Sequence, residues 1–391
     1  MKDKKKKIFM WQNNLCITYT VQFRQFEELF LANSWEICDG PKKADWILVG
    51  ACAGFLPQID DYKKKMKEIF PLGKKLAVYG CLPKVAPDEF KESTPTFDVY
   101  IPTGKPQYIE KIISNPKVRL SEIGDPMGFR KQDYRKFDKG KKFIIIQNGC
   151  NATCVYCPHK IGMGPQKSRS LDEILQLVYS AKNEEAHTIF FEGMDSGSWG
   201  TDMEPPQTFL DMIEPILEMQ GDFELHIGQF GANWLLHYGE EVIEFFSNPR
   251  ITDIKIPIQS ASPKILKLMG RDSRVLEIGP MLQRLKAKNE SLNLRTDLII
   301  GFPTEMDEDL KISLEFARKH FDEVAVFGFE IHPRTPIAKM DLKFLDNTSI
   351  ENRVRYAIEF LNDNPRIITH RGGEIAETLI EREKKRAEMG L

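Results

Sequence analysis

Three cysteines, Cys150, Cys154 and Cys157, lie in the run IIIQNGCNATCVYCPHK, directly after an apolar, strand-like segment. Cysteine thiolates are the usual ligands of iron–sulfur clusters, and a C-x3-C-x2-C spacing puts three of them on one short loop. Three ligands satisfy three irons of a 4Fe–4S cubane and leave the fourth open to a substrate or cofactor. That points to chemistry rather than electron storage. With 7 Cys among 391 residues, roughly 0.002 such triplets would arise by chance.

The other cysteines are Cys16, Cys38, Cys52 and Cys81. Cys16, Cys52 and Cys81 each come at or just after the end of a strand-like segment: KKIFMWQNNLC, ADWILVGAC and KLAVYGC. Loops after the carboxyl ends of parallel strands converge on one crevice, so these three thiols can meet at one point. They can also be separate core thiols, because free cysteine is often buried as a small hydrophobe. Cys38, in SWEICDG, is expected to be structural. The start MKDKKKKIFMWQ lacks a long apolar stretch with a cleavage site, and no segment reaches the length of a membrane span. The expectation is a cytoplasmic protein without a membrane partner, its thiols free or metal-bound.

These cysteines need a scaffold, and the hydrophobic pattern supplies an α/β one. Strand-like runs at Lys7–Trp11, Trp46–Ala51, Leu76–Gly80 and Val99–Pro102 alternate with helical segments near Val21–Asn33 and Ile59–Ile69. Alternation at this period implies parallel βαβ units, hence a Rossmann-like parallel sheet over residues 1–102. Residues 103–141 read as a charged linker containing the basic, aromatic-interleaved stretch FRKQDYRKFDKGKK. A second series follows over residues 142–345, with strands at Phe143–Gln147, Thr188–Glu192, Glu224–Ile227, Ile254–Ile258, Asn293–Ile300 and Glu323–Phe329. Helices fall between them, and six βα units predict a partial parallel (β/α)6 barrel with its working residues on the loops after the strands. Residues 346–391 lack period-2 alternation and read as a short, charged, helical tail. Hydrophobic residues make up 41% of the chain, enough for full cores, and the net charge of −2 argues against extensive phosphate-backbone binding.

A cysteine loop of this spacing after the first strand of such a barrel resembles the radical SAM superfamily. The chain is more specifically similar to its two-cluster methylthiotransferase family, over about residues 7–340. NGCNATCVYC with SRSLDEILQLV, TIFFEGMDSGSWG, IKIPIQSASPKILKLMGR, LRTDLIIGFPTEMDEDL and VFGFEIHPRTPIAKM carry the likeness. The resemblance implies S-adenosylmethionine (SAM) and two 4Fe–4S clusters as cofactors. Cys150, Cys154 and Cys157 would hold the SAM-cleaving cluster, and Cys16, Cys52 and Cys81 an auxiliary one. It further implies a reductant such as flavodoxin or ferredoxin, and conversion of C–H to C–S–CH3 through a 5′-deoxyadenosyl radical. Tyr156 would pack near the adenine and Gly193 would admit the SAM amino group. Gln259, Ser260, Arg295 and Asp297 would line the SAM and substrate cavity. Arg295 would pair with the SAM carboxylate or else with Asp297, and Glu305 would favour a helix N-terminus.

Three departures from the family pattern bear on the substrate. TRAM, the family's C-terminal RNA- or protein-binding β-barrel, is expected to be missing. The second-strand motif reads Gly193-Met194-Asp195 where the family has Gly-Gln, and His332 and Arg334 replace the family's arginine and glycine in FEIHPRTP. Asp195, Trp199, His332 and Arg334 are then expected at the cavity mouth, facing a peptide, small protein or other non-standard substrate. A tRNA recruited through the basic linker, a two-cluster enzyme doing another sulfur insertion, and a silent electron carrier are the alternatives. His159, beside the cysteine loop, is expected to make only local hydrogen bonds.

Overall fold

The computed structural model describes residues 5–13, 16–125 and 140–372. The first domain is a five-stranded, wholly parallel sheet in the order β2-β1-β3-β4-β5. Its strands are β1 (Lys7–Gln12), β2 (Glu36–Ile37), β3 (Trp46–Ala51), β4 (Lys75–Gly80) and β5 (Val99–Ile101). The helices are α1 (Ile17–Ala32), α2 (Leu56–Ile69), α3 (Leu82–Val85) and α4 (Pro87–Ser93). β3 and β4 are apolar almost throughout, as strands covered on both faces must be. α1 starts four residues earlier than the sequence pattern suggests. Its first turn, Ile-Thr-Tyr-Thr, has no clean helical periodicity but is held by burial of Thr18, Tyr19 and Thr20.

The second domain begins with β6 (Lys141–Ile145), followed by a small antiparallel hairpin of β7 (Gln147–Asn148) and β8 (Lys167–Ser168). The main sheet continues with β9 (Thr188–Glu192), β10 (Glu224–Ile227), β11 (Ile251–Lys255), β12 (Asn293–Ile300), β13 (Glu323–Gly328) and β14 (Ile368–Arg371). All pairings in this seven-stranded sheet are parallel, in the order β14-β13-β12-β11-β10-β9-β6. The helices are α5 (His159–Met163), α6 (Leu171–Asn183), α7 (Phe209–Leu217), α8 (Ala232–Tyr238), α9 (Glu240–Phe246), α10 (Pro263–Met269), α11 (Gly279–Lys288), α12 (Asp307–His320) and α13 (Asn347–Asn362). α6 starts in a capping box: Ser170 Oγ accepts from Glu173 N–H, and the Glu173 carboxylate accepts from Ser170 N–H.

Two elements differ from the sequence expectation. The fourth barrel strand is Ile251–Lys255, not Ile254–Ile258, because Pro257 has no N–H to give a ladder. Of the expected helical tail, the described residues form α13 and then β14, which adds a seventh strand beside β13. Ile367 and Ile368 are buried there, so sheet pairing and packing outweigh the charged context. The tail beyond Gly372 and residues 129–139 of the basic linker stretch lie outside the described residues.

The domains pack on each other. Ile17 and Val21 of α1 meet Phe143, Ile145 and Phe190 of the barrel, while Phe55 stacks on Phe327 at 5.4 Å. Leu56 N–H donates to Glu330 at 2.8 Å, and Arg334 Nη1 to the Lys84 carbonyl at 2.6 Å. Among the described residues, no helix is long and apolar enough to cross a membrane.

Candidate active site: two cysteine triads

The loop after β6 is pinned from several sides. Gly149 turns the chain at φ +71°, where a Cβ would lie 2.0 Å from the Pro165 carbonyl oxygen, so only glycine fits. Val155 N–H donates to Met269 O at 3.0 Å, Thr153 Oγ1 to Gly270 O at 2.8 Å, and Ile337 N–H to Val155 O at 3.1 Å. Each sulfur has a polar neighbour in place. Ala152 N–H donates to Cys150 Sγ at 3.3 Å, Arg271 Nη1 donates to Cys154 Sγ at 3.5 Å, and His159 Nδ1 lies 3.6 Å from Cys157 Sγ. Burial pushes the Cys150 thiol up to about 11 and also raises Cys157. These thiols are therefore protonated at neutral pH until a ligand displaces the protons.

The first-domain cysteines come from three successive βα connections, and two of them touch. Cys16 precedes α1, Cys52 follows β3, and Cys81 follows β4 and precedes α3. Cys52 and Cys81 share a hydrogen bond, Cys16 is within electrostatic reach of both, and Ala53 N–H donates to Cys81 Sγ at 3.3 Å. The bond from Cys81 brings Cys52 down to about 6, while the same bond and burial raise Cys81. Asn13 fixes the Cys52 turn: its Oδ1 accepts from Cys52 N–H at 2.9 Å, and its Nδ2 donates to Gln58 O at 2.7 Å. Cys38 lies apart, its Sγ donating to Gly40 O at 3.5 Å.

Among the described residues, no three Cys, His, Asp or Glu side chains close on one point as a single metal ion requires. A cubane instead presents its irons at separate corners to separate thiolates. All six cysteines are free, and each triad is all sulfur, so both fit such a cluster.

α5 joins the triads. A Cβ on Gly162 would lie 2.5 Å from Cys81 Cβ, and the Gly162 carbonyl accepts from Thr103 Oγ1 at 2.7 Å and Lys84 Nζ at 3.2 Å. His159, at the start of α5, points Nε2 at Gly54, two residues after Cys52; a Cβ there would lie 3.3 Å from Nε2 and 3.7 Å from Cys52 Sγ.

The remaining expected site residues divide. Gln259 sits at φ +68° with its Oε1 buried and unpartnered, and Asp297 pairs with Lys255 at 2.9 Å through Oδ2, leaving Oδ1 buried and unpartnered. Both can face a ligand. Arg295 is engaged elsewhere: Nε donates to Asp253 at 2.7 Å, so it pairs neither with Asp297 nor as a free anion site. Ser260 turns to α12, where its Oγ meets Ser313 Oγ at 3.0 Å. Tyr156 packs edge-on to Phe302 and hydrogen-bonds Arg271. Gly193 makes room for Gln147, whose Cγ would lie 2.7 Å from a Cβ. Glu305 is more than a helix-end charge, since its carboxylate accepts from Gly301 N–H at 2.8 Å and from Arg353 at 3.1 Å.

The expected mouth residues are mostly not at a mouth. Trp199 is wholly buried in the barrel core with Nε1 donating to Arg169 O at 2.9 Å; its size makes burial the favoured outcome. Asp195 accepts from Trp234 Nε1 at 2.9 Å. His332 is buried at the domain seam, where it hydrogen-bonds the Gly54 backbone, and burial pushes it down to about 4. Arg334 is exposed and tethers Lys84, as described above.

Two residues escaped the sequence reading. Arg271 touches Cys154, Tyr156 and the Pro257 carbonyl; it ends the quoted run ILKLMGR, which was the available signal. Glu192 ends β9 inside the barrel, its backbone carbonyl accepting from Ile146 N–H at 2.9 Å. Burial raises its carboxyl to about 7 against the pull of Arg295 and Lys255. A carboxylate directly before Gly193 was legible, but its inward direction was not.

The radical SAM superfamily model matches residues 144–317. A probable threonylcarbamoyladenosine tRNA methylthiotransferase of Pyrococcus abyssi is 30% identical over 78% of this chain and 72% of its own length. The ribosomal protein uS12 methylthiotransferase RimO of Carboxydothermus hydrogenoformans is 26% identical over 77% of this chain and 70% of its own. For the threonylcarbamoyladenosine tRNA methylthiotransferase of Xenopus laevis the figures are 27%, 79% and 57%. Among solved structures, the radical SAM methyltransferase TsrM of Kitasatospora setae superposes with a TM-score of 0.65 at 10% identity, over 96% of this chain and 92% of that one, a likeness of fold. The fold and cysteine loop thus define a radical SAM enzyme. The chain belongs to the radical SAM methylthiotransferase family. With the family come SAM and 4Fe–4S clusters as cofactors, and sulfur or methylthio transfer as the activity.

Proposed function

We propose that this chain replaces an unactivated C–H of a tRNA nucleoside by C–S–CH3, with one cluster on Cys150, Cys154 and Cys157 and a second on Cys16, Cys52 and Cys81. The observation that carries the reading is the pair of all-sulfur triads packed together through α5. Cys150, Cys154 and Cys157 would hold a 4Fe–4S cluster, which, once reduced by an external one-electron donor, would supply the reductive cleavage of SAM to methionine and a 5′-deoxyadenosyl radical.

The chain's own residues position and shield. Gly149 and the β7–β8 hairpin hold the three sulfurs in one orientation, and the Arg271 guanidinium places positive charge against Cys154. Gln259 Oε1 and Asp297 Oδ1 are acceptors held ready for N–H or O–H groups, since a buried acceptor left unpaired is costly. Phe143 and Phe190, stacked at 4.3 Å, and Val21 of α1 fill one side of the barrel with apolar surface. This apolar wall separates the inside of the barrel from solvent on that side.

The tRNA assignment follows the relatives, most of which are named as tRNA enzymes. A peptide or small protein is the second reading; the RimO relative and the near-neutral charge favour it. The test is to reconstitute the protein without oxygen and offer it unmodified tRNA and, separately, proteolysed cell protein. Mass spectrometry then looks for the gain of one CH2S unit, with S-adenosylhomocysteine and 5′-deoxyadenosine counted beside it. Modified nucleoside supports the first reading, and modified peptide moves the assignment to the second. 5′-Deoxyadenosine with a sulfur adduct but no S-adenosylhomocysteine overturns methyl transfer.

A further inference from the structure

The two triads are not merely neighbours; one side chain touches the surroundings of both. His159 Nδ1 is 3.6 Å from Cys157 Sγ. The opposite edge of the ring faces the Cys52 turn, with Nε2 3.3 Å from where a Gly54 side chain would begin. Cys52 and His159 are within electrostatic reach of each other. His332 closes the same spot from the barrel side: it is buried, hydrogen-bonds the Gly54 backbone and lies within electrostatic reach of His159. A Cβ on Gly54 would press on the imidazole at 3.3 Å, so the ring and the bare glycine pack closely between the Cys52 turn and the Cys157 loop.

We propose that His159 is a positioning residue shared by the two cluster sites: its Nδ1–H hydrogen-bonds the Cys157 sulfur, and its ring is the spacer that fixes the distance to the Cys52 turn. The proposal rests on the two-cluster reading above. Its two parts are separable by chemistry. A donor to a cluster thiolate stabilises the reduced, more negative state and so raises the potential of that cluster, since hydrogen bonds to the sulfurs are among the terms that set it. The spacer acts through bulk alone and bears on how the two clusters sense each other.

The experiment uses the reconstituted full chain as wild type, His159→Phe, His159→Asn and His159→Ala. Iron and sulfide are counted first, and about eight irons per chain marks two intact clusters. Fewer in the wild type overturns the two-cluster reading itself, independently of His159. Redox titration followed by electron paramagnetic resonance then reads the potential of each cluster and the spin–spin interaction between their reduced forms. Phe keeps the ring and deletes the donor: the cluster on Cys150, Cys154 and Cys157 should shift to lower potential with the spin–spin interaction unchanged. Asn returns an N–H near the Nδ1 position and should recover most of the shift. Ala removes the ring and should alter the spin–spin interaction as well as the potential. An unchanged potential in the fully loaded Phe variant overturns the hydrogen bond. An unchanged interaction in the loaded Ala variant overturns the spacer. Should Ala fail to load, the Asn variant, smaller than His, serves as the spacer test with the same two outcomes.

Discussion

The two cysteine triads solve one problem in opposite ways. Cys150, Cys154 and Cys157 come from a single loop, are half-exposed, and each has its own polar neighbour: a backbone N–H, a guanidinium and an imidazole. Cys16, Cys52 and Cys81 come from three separate βα connections; Cys52 and Cys81 are buried and bonded to each other. A local loop presents sulfur to an incoming cofactor, as an open reaction site needs. A tertiary assembly instead depends on the packing of the whole sheet. The contrast implies that the barrel triad tolerates damage to the first domain better than the first-domain triad tolerates damage to the sheet.

The largest expected effect comes from deleting each triad. Cys150/Cys154/Cys157→Ala should abolish 5′-deoxyadenosine formation from SAM, whereas Cys16/Cys52/Cys81→Ala should retain it and lose only methylthiolated product. If chromatography shows both variants equally dead in SAM cleavage while the second still holds its barrel iron, the division of labour is wrong.

Glu192 lies between the regions, within electrostatic reach of Arg295 and Lys255 on one side and Cys16 on the other. Its folded value of about 7 stands above the ordinary 4.5, so the folded state holds a proton that the unfolded state releases. Its penalty is absent below pH ~4.5, grows through pH ~4.5–7 and is complete above that range. Glu192→Gln should therefore be more stable than wild type by about 3 kcal/mol at pH 8 and nearly equal to it at pH 4.5. Denaturant melts at the two pH values check this, and a gap independent of pH would show that folding does not raise the carboxyl.

Arg271→Met should cost about 2 kcal/mol, because the Pro257 carbonyl loses its 2.7 Å donor in a buried setting. It should also lower iron retention at the barrel triad alone, as measured in the Cys16/Cys52/Cys81→Ala background. The smallest effect is at the tether between domains: Arg334→Ala loses one exposed hydrogen bond, and a change of about 0.5 kcal/mol in the melt is expected. A loss several times larger would mean that the domain seam is less self-sufficient than its apolar contacts suggest.

Local pattern carried much of this molecule. The strands Trp46–Ala51, Thr188–Glu192, Glu224–Ile227 and Asn293–Ile300 were legible to the residue, because their apolar runs are bounded by turn residues and no proline interrupts them. The C-x3-C-x2-C loop was legible for the same reason: its chemistry lies within eight consecutive residues. β14 was not, since Ile-Thr-His-Arg becomes a strand only where the edge of β13 offers it partners. Trp199 and Ser260 were misplaced because position after a strand indicates a loop, not the direction of a side chain within it.

By itself, then, the order of residues determined the parallel α/β architecture and the barrel's cysteine loop, which rest on short-range periodicity and spacing, and, through the quoted motifs, the likeness to its family. Only the tertiary structure decided that Cys52 and Cys81 touch with Cys16 in electrostatic reach, that Arg295 is committed to Asp253, and that His159 stands between the Cys157 loop and the Cys52 turn. Contacts between residues far apart in the chain depend on how whole sheets pack, and no local pattern encodes that distance.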